Sequence, residues 1–300
     1  MVGAELIVSH HTFITAQVQR FRETGNFLAL LKAVVLVFQQ HRTHELISGA
    51  YCSLFHPPSA LARADQDSML LSLLRDKGAI APRGTLTRED ILRQYGERFC
   101  VASLPEDFLC ARGESIWDEG TYLLLGEYGE SSRIAQVTRS SCYVSDHYRQ
   151  VPGVRHIHSI EKYGNAGEFL VCTGDSRKFL DLWLTGGSDV RFVRRLSKYL
   201  AGFTAAITVN GEYYFGTDFS GRPNWIETLG GMKYFFPRKA YKLHVTDFHS
   251  LLDRYLLSIN TELVVVGGRK TLSVFDTITR EFIYCDHWTA EEPRSLEQAA

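Results

Sequence analysis

The sequence predicts a mainly β protein: a β-propeller of about 4–6 four-stranded antiparallel blades, preceded by a helical N-terminal region. Two observations carry this. Apolar strands keep ending in a glycine beside a carboxylate, in Tyr122-Leu-Leu-Leu-Gly-Glu127, Phe169-Leu-Val-Cys-Thr-Gly-Asp175 and Tyr213-Tyr-Phe-Gly-Thr-Asp218. A fading copy, Leu263-Val-Val-Val-Gly-Gly268, lacks the acid. The glycines recur every 40–50 residues or so, roughly the period of propeller blades. Second, the chain is 12% aromatic, and Tyr and Phe suit strands.

The first 97 residues read as helices. Apolar residues from Thr12 to Glu45 recur at helical spacing (Phe13, Ala16, Phe21, then Leu28, Leu31, Val35, Phe38) with a break near Gly25. His56-Pro-Pro58 is a breaker. Gln66 to Lys77 places Met69, Leu70, Leu73 and Leu74 on one face and ends at Gly78. Thr87-Arg-Glu-Asp90 resembles a capping box with Asp in place of Glu and starts a short helix through Tyr95.

From residue 98 to about 290 the texture is strand and turn, and residues 291–300 form a polar tail. The first blade holds Thr121–Tyr128, Arg133–Arg139 and Ser141–His147. The second holds Val154–Ile160, Glu168–Thr173, Phe179–Thr185 and Val190–Leu196. The third holds Phe203–Val209, Glu212–Thr217, Asn224–Leu229 and Lys233–Phe236. The fourth holds Arg254–Ile259, Glu262–Val266, Thr271–Phe275 and Glu281–Cys285. Phe99–Trp117 supplies a partial blade or an opening strand. Closing so small a ring calls on the N-terminal region or on further chain. An antiparallel sandwich with a helical domain is the competing architecture.

Composition bounds the function. A net charge of −1 gives no field to draw the chain to nucleic acid or an anionic membrane, so neither is expected as a partner. Six scattered cysteines without a C-x-x-C pair argue against a zinc knuckle or a disulfide framework and predict buried free thiols. The N-terminus lacks the pattern of a signal peptide. The segment Phe27–Phe38 is about half a membrane span and contains Lys32, so a buried helix and a soluble cytoplasmic protein are expected. No P-loop, G-x-G-x-x-G, H-E-x-x-H or G-x-S-x-G motif is present.

Four groups of residues are candidates for chemistry. Glu127, Asp175 and Asp218, if in register, converge at one end of the ring, where two carboxylates can run glycoside hydrolysis or three can bind a divalent metal. The plainer reading is that an acid caps each strand-end turn. Arg155-His156-Ile157-His158 puts both imidazoles on one face of a strand, suited to proton transfer or to a metal completed by Asp175 or Glu127. The plainer reading is hydrogen bonding within the strand. Arg155 and Arg222 are the best anchors for an anionic group, whereas Arg191, Arg194 and Arg195 read as a solvated outer strand. Asn224 and Trp225, in Gly221-Arg-Pro-Asn-Trp225, offer an amide and an indole to a sugar or simply make a rigid turn. His244, His249 and His287 are isolated and read as structural.

The ordered set Gly126-Glu127-Tyr128, Arg155-His156-Ile157-His158, Thr173-Gly174-Asp175, Gly216-Thr217-Asp218 and Asn224-Trp-Ile226 resembles the sialidase-like (BNR/Asp-box-type) β-propeller superfamily. The likeness covers roughly the last 180 residues. No intact Ser-x-Asp-x-Gly-x-Thr-Trp box occurs, and Ser115-Ile-Trp-Asp118-Glu-Gly120 is a degenerate echo. The resemblance implies a propeller whose axial funnel takes a carbohydrate or glycan-derived ligand. As an enzyme it would be a glycoside hydrolase or polysaccharide lyase, with Glu127, Asp175, Asp218 and His158 catalytic and Arg155, His156, Arg222, Asn224 and Trp225 binding substrate. The alternative is a non-catalytic propeller serving as a protein or glycan scaffold.

Overall fold

The computed structural model describes residues 21, 23–25, 57–62 and 83–287, the last apart from 109, 130–131, 152–153, 165–166, 175–177, 187–188, 199–201, 220–222 and 263–267. The expected helices between residues 12 and 77, other than these few positions, lie outside the described residues, as does the 291–300 tail.

The described chain forms four antiparallel sheets, each drawn from consecutive strands. Blade 1 comprises β2 (Cys110–Asp118), β3 (Leu123–Glu127), β4 (Ile134–Val137) and β5 (Cys142–Ser145), with a short β1 (Thr85–Thr87) added beside β2. Blade 2 comprises β6 (His156–Lys162), β7 (Glu168–Gly174), β8 (Phe179–Gly186) and β9 (Asp189–Lys198). Blade 3 comprises β10 (Phe203–Val209), β11 (Glu212–Thr217), β12 (Trp225–Thr228) and β13 (Lys233–Phe235). Blade 4 comprises β14 (His244–Leu251), β15 (Tyr255–Thr261), β16 (Lys270–Asp276) and β17 (Glu281–His287). The first strands β2, β6, β10 and β14 pack successively on one another and line the axis of a four-bladed propeller.

Blades 2 and 3 follow the expected strands closely. The fourth blade needs correction: Tyr255–Thr261 is its second strand, not its first, and Glu262 is not in a strand. The true first strand, His244–Leu251, hid because it buries His244 and Asp247, which break the apolar pattern. Phe99–Trp117, expected as a partial blade or an opening strand, is the latter: its second half lies in β2, the inner strand of blade 1.

Apolar clusters weld three of the four seams. Leu124 and Ile134 meet Ile157, Phe169 and Trp183 between blades 1 and 2. Leu170, Leu180 and Leu182 meet Phe203 and Phe215 between blades 2 and 3. Tyr214 and Ile226 meet Val245, Phe248, Leu256 and Phe275 between blades 3 and 4. Among the described residues, the seam from blade 4 to blade 1 is ionic. Arg83, just before β1, donates through Nε and Nη2 to Asp247 Oδ1 at 3.2 and 3.0 Å and through its backbone N–H to Oδ2 at 3.0 Å. Across the same seam Arg112 Nη2 donates to the Thr246 carbonyl. The N-terminal side of the chain thus supplies the closure.

The helix α1 (Arg88–Tyr95) starts as its sequence dictates. Thr87 Oγ1 accepts from the Asp90 N–H at 3.2 Å, and Asp90 Oδ2 accepts from the Thr87 N–H at 3.0 Å. Ile91 anchors it in a cluster with Phe99, Phe108 and Leu123 that covers blade 1. Residues 57–62 run against blades 3 and 4, where Ser59 bridges Pro237 and the Ala62 N–H donates to the Phe282 carbonyl at 2.9 Å.

Candidate functional site

The site is set by a defect repeated in every blade. Each inner strand carries a β-bulge near its start, between Ala111 and Ile116, Ile157 and Ser159, Phe203 and Ala205, and Val245 and Asp247. A bulge inserts unpaired residues and re-aims their side chains. In successive blades these are residues 112–115, His158, Thr204 and Thr246. Because the inner strands run in the same sense, the bulges form one tier at the end of the axis where those strands begin. We call this end the mouth.

Aligning the blades on the bulge corrects the register read from the glycines. The residues paired just before it are Glu127, Thr173, Thr217 and Asn260. Gly126 and Gly216 therefore correspond, but Gly174 lies two places further along. Glu127 and Asp218 consequently occupy different positions, one step apart. The glycines have a packing cause: a Cβ on Gly126 would lie 2.3 Å from Ile157 Cγ2, and one on Gly216 would lie 2.4 Å from Val245 Cγ1 of the following blade.

Glu127 is a turn-holding residue. Its counterparts Thr173 and Thr217 accept from the N–H of Phe179 and Trp225, the first residues of their third strands, at 3.0 and 2.8 Å. Glu127 Oε2 accepts from the N–H of Arg133, just before β4, at 3.3 Å. The Arg133 guanidinium clamps both its oxygens, each at 2.8 Å, and reaches Asp107 as well. Both partners of the Glu127–Arg133 pair are buried.

Asn224 and Trp225 serve the fold too. Asn224 Oδ1 accepts from the Phe219 N–H at 2.7 Å and its Nδ2 donates to the Phe219 carbonyl at 3.0 Å, closing the turn. The Trp225 indole is buried, donates to Glu227 at 2.8 Å and packs between Phe219 and Phe235. Arg155 is exposed at the approach to β6. Asp175 and Arg222 lie outside the described residues.

The histidine pair gathers the mouth together. The rings of His156 and His158 have centroids 6.0 Å apart. His156 stacks on Tyr128 at 4.3 Å, and Tyr128 meets His158 edge-on at 5.7 Å. Tyr128 and His156 are half-buried, whereas His158 is buried. Arg112, from the blade 1 bulge, brings Nη1 to 3.4 Å from His158 Nδ1 and lies over the Tyr128 ring at 5.7 Å.

Asp218 joins the same tier. It pairs with His244 Nδ1 at the start of β14 and with Lys178 Nζ at 3.0 Å. Burial would raise its carboxyl. The His244 hydrogen bond and the Lys178, His244 and His158 charges prevail and hold it well below the usual carboxylate range. In the same blade 1 bulge, burial pushes the Glu114 carboxyl up against the pull of Arg112, with neighbouring Asp247 adding to the rise. Asp247, also buried, is held at about 2 by His249 and Arg83.

The sequence points to His156, His158 and Asp218 but not to Arg112 or Lys178, and His244 and His249, expected to be isolated, instead pair with Asp218 and Asp247. Only the bulges and ring order bring Arg112, Lys178 and His244 together, and neither is visible in a linear motif. Among the described residues no group of three or more His, Cys, Asp or Glu is placed to hold a metal ion. Cys100, Cys110, Cys142, Cys172 and Cys285 are free. No helix among the described residues is long and apolar enough to cross a membrane.

In sequence, the chain matches no protein-family model and no curated protein.

Proposed function

We propose that the propeller binds an anionic, glycan-derived ligand at its axial mouth and does not cleave it. The observation that carries this reading is the convergence of Arg112, His158 and the half-buried Tyr128–His156 stack on one tier. A guanidinium beside an aromatic face suits a sugar acid. Arg112 holds Glu114 through Nε at 3.1 Å and the Thr246 carbonyl through Nη2, which leaves Nη1, beside His158, to meet the carboxylate. The His156–Tyr128 stack meets the apolar face of the pyranose.

Hydrolysis fits this geometry less well. A glycosidase needs one carboxyl free to give a proton and a second free to act as base or nucleophile. Glu127 is clamped by Arg133, and Asp218 is held ionised between Lys178 and His244. Both of these carboxylates are spent on the fold, and the raised Glu114 carboxyl is buried against Arg112.

Calorimetric titration with glucuronic acid and N-acetylneuraminic acid tests the reading, alongside fluorogenic glycosides of both sugars. Binding that His156→Ala weakens at least tenfold, with no turnover of either glycoside, is the expected result. Turnover abolished by Asp218→Asn would replace binding with catalysis. Absence of binding by the wild-type chain would remove the proposal.

A further inference from the structure

The outer strand of blade 2 differs from those of the other blades. β9 (Asp189–Lys198) has 10 residues, against 4 in β5, 3 in β13 and 7 in β17. It ends its sheet, and among the described residues no strand pairs with its outer edge. An open edge offers a row of backbone donors and acceptors to another extended chain.

Its register with β8 shifts twice, at Val193 and at Leu196, and the first shift sets the arginines. The register shifts between the Trp183–Phe192 and Leu182–Arg194 pairs, leaving Val193 as an extra residue that is 46% exposed. Directly paired residues share a sheet face, so Arg191 (opposite Leu184) and Arg194 (opposite Leu182) come to the same face. Without the bulge, three positions apart, they would point opposite ways. The spacing becomes that of alternate residues on a strand, about 7 Å. Both arginines are exposed, and neither has an ion-pair partner among the described residues. Arg195, by contrast, is held at 2.8 Å by buried Asp181 and lies over Phe179.

We infer that the β9 edge is a docking strand for an extended acidic peptide, which adds as a fifth strand and sets alternate carboxylates against Arg191 and Arg194. A second copy of this chain is disfavoured, because antiparallel β9 strands would bring like guanidiniums together. A nucleic acid could meet the charges but could not use the backbone edge, and the chain's net charge of −1 supplies no broad attraction for it. This inference is independent of the axial mouth.

The test uses the full chain and a blocked, fluorescein-labelled ten-residue peptide of alternating Glu and Thr, read by anisotropy. Saturable binding is expected, weakened at least tenfold by Arg191→Glu/Arg194→Glu. The same peptide N-methylated at alternate residues keeps its charge, loses the ladder donors and should also bind at least tenfold more weakly. An alternating Lys/Thr peptide should prefer the charge-reversed variant. Since both arginines are exposed, Arg191→Gln/Arg194→Gln provides a gentler variant that should give an intermediate loss. No saturation with the wild-type chain, equal binding of the N-methylated peptide, or tighter binding of a 20-nucleotide oligothymidylate would each overturn the inference.

Discussion

The His158 imidazole lies directly over Gly174: a Cβ built on that glycine would fall 1.7 Å from His158 Nε2. Only a residue without a side chain lets the bulge turn His158 into the mouth. Gly174→Ala should therefore displace His158 and cost about 1–3 kcal/mol by overpacking. The double variant Gly174→Ala/His158→Ala should recover most of that loss, a coupling that a double-mutant cycle in urea measures. Additive losses would mean that the glycine serves something other than the histidine.

The ionic seam between blades 4 and 1 contributes to the response to acid. Asp247 has a folded-state pKa of about 2, below the value of about 3.9 in an unfolded chain. The depression stabilises the fold above pH 4 by about 2–3 kcal/mol and is lost as the pH falls from about 4 to about 2. The stability difference between wild type and Asp247→Asn should shrink over that window. Arg83→Ala should destabilise at neutral pH, because it strips a buried carboxylate of a main partner. Urea unfolding at stepped pH measures both.

Glu161 behaves in the opposite sense. Burial raises its carboxyl to about 7, even though Thr208 donates to it from N–H and Oγ1 at 3.0 and 2.8 Å. A raised acid favours the protonated fold, so its contribution to stability falls as the pH rises from about 4 to about 7. Glu161→Gln keeps an acceptor for Thr208 and removes the charge. It should leave stability unchanged at pH 4 and raise it by at most about 4 kcal/mol at pH 8. Thermal unfolding at the two pH values checks this, and an equal effect at both would refute the assignment.

Glu127 should prove structural. Removing it leaves the buried Arg133 guanidinium with Asp107 alone. Glu127→Ala should cost about 3–5 kcal/mol by that route. Ligand affinity at the mouth should persist in the folded fraction, as titration under stabilising conditions would report.

The fold was legible wherever strands alternate plainly, as in Phe203–Val209 and Glu212–Thr217, whose bounds the apolar pattern gives to the residue. It failed at His244–Leu251, because an inner strand buries polar groups that face the axis. The site was half legible. The histidine pair announced itself, since two imidazoles two residues apart are conspicuous in any strand. Arg112, Lys178 and His244 did not, because each reaches the mouth through ring geometry from a different segment. The recurring glycine–acid signal misled on register, for a bulge adds residues that a linear comparison cannot place.

The mouth itself is tested most directly by the imidazole resonances of His156 and His158 in a titration with glucuronic acid. The account predicts saturable shifts at both histidines and none at His287, near the end of β17. No shift at either ring, or equal shifts at all three, would contradict it.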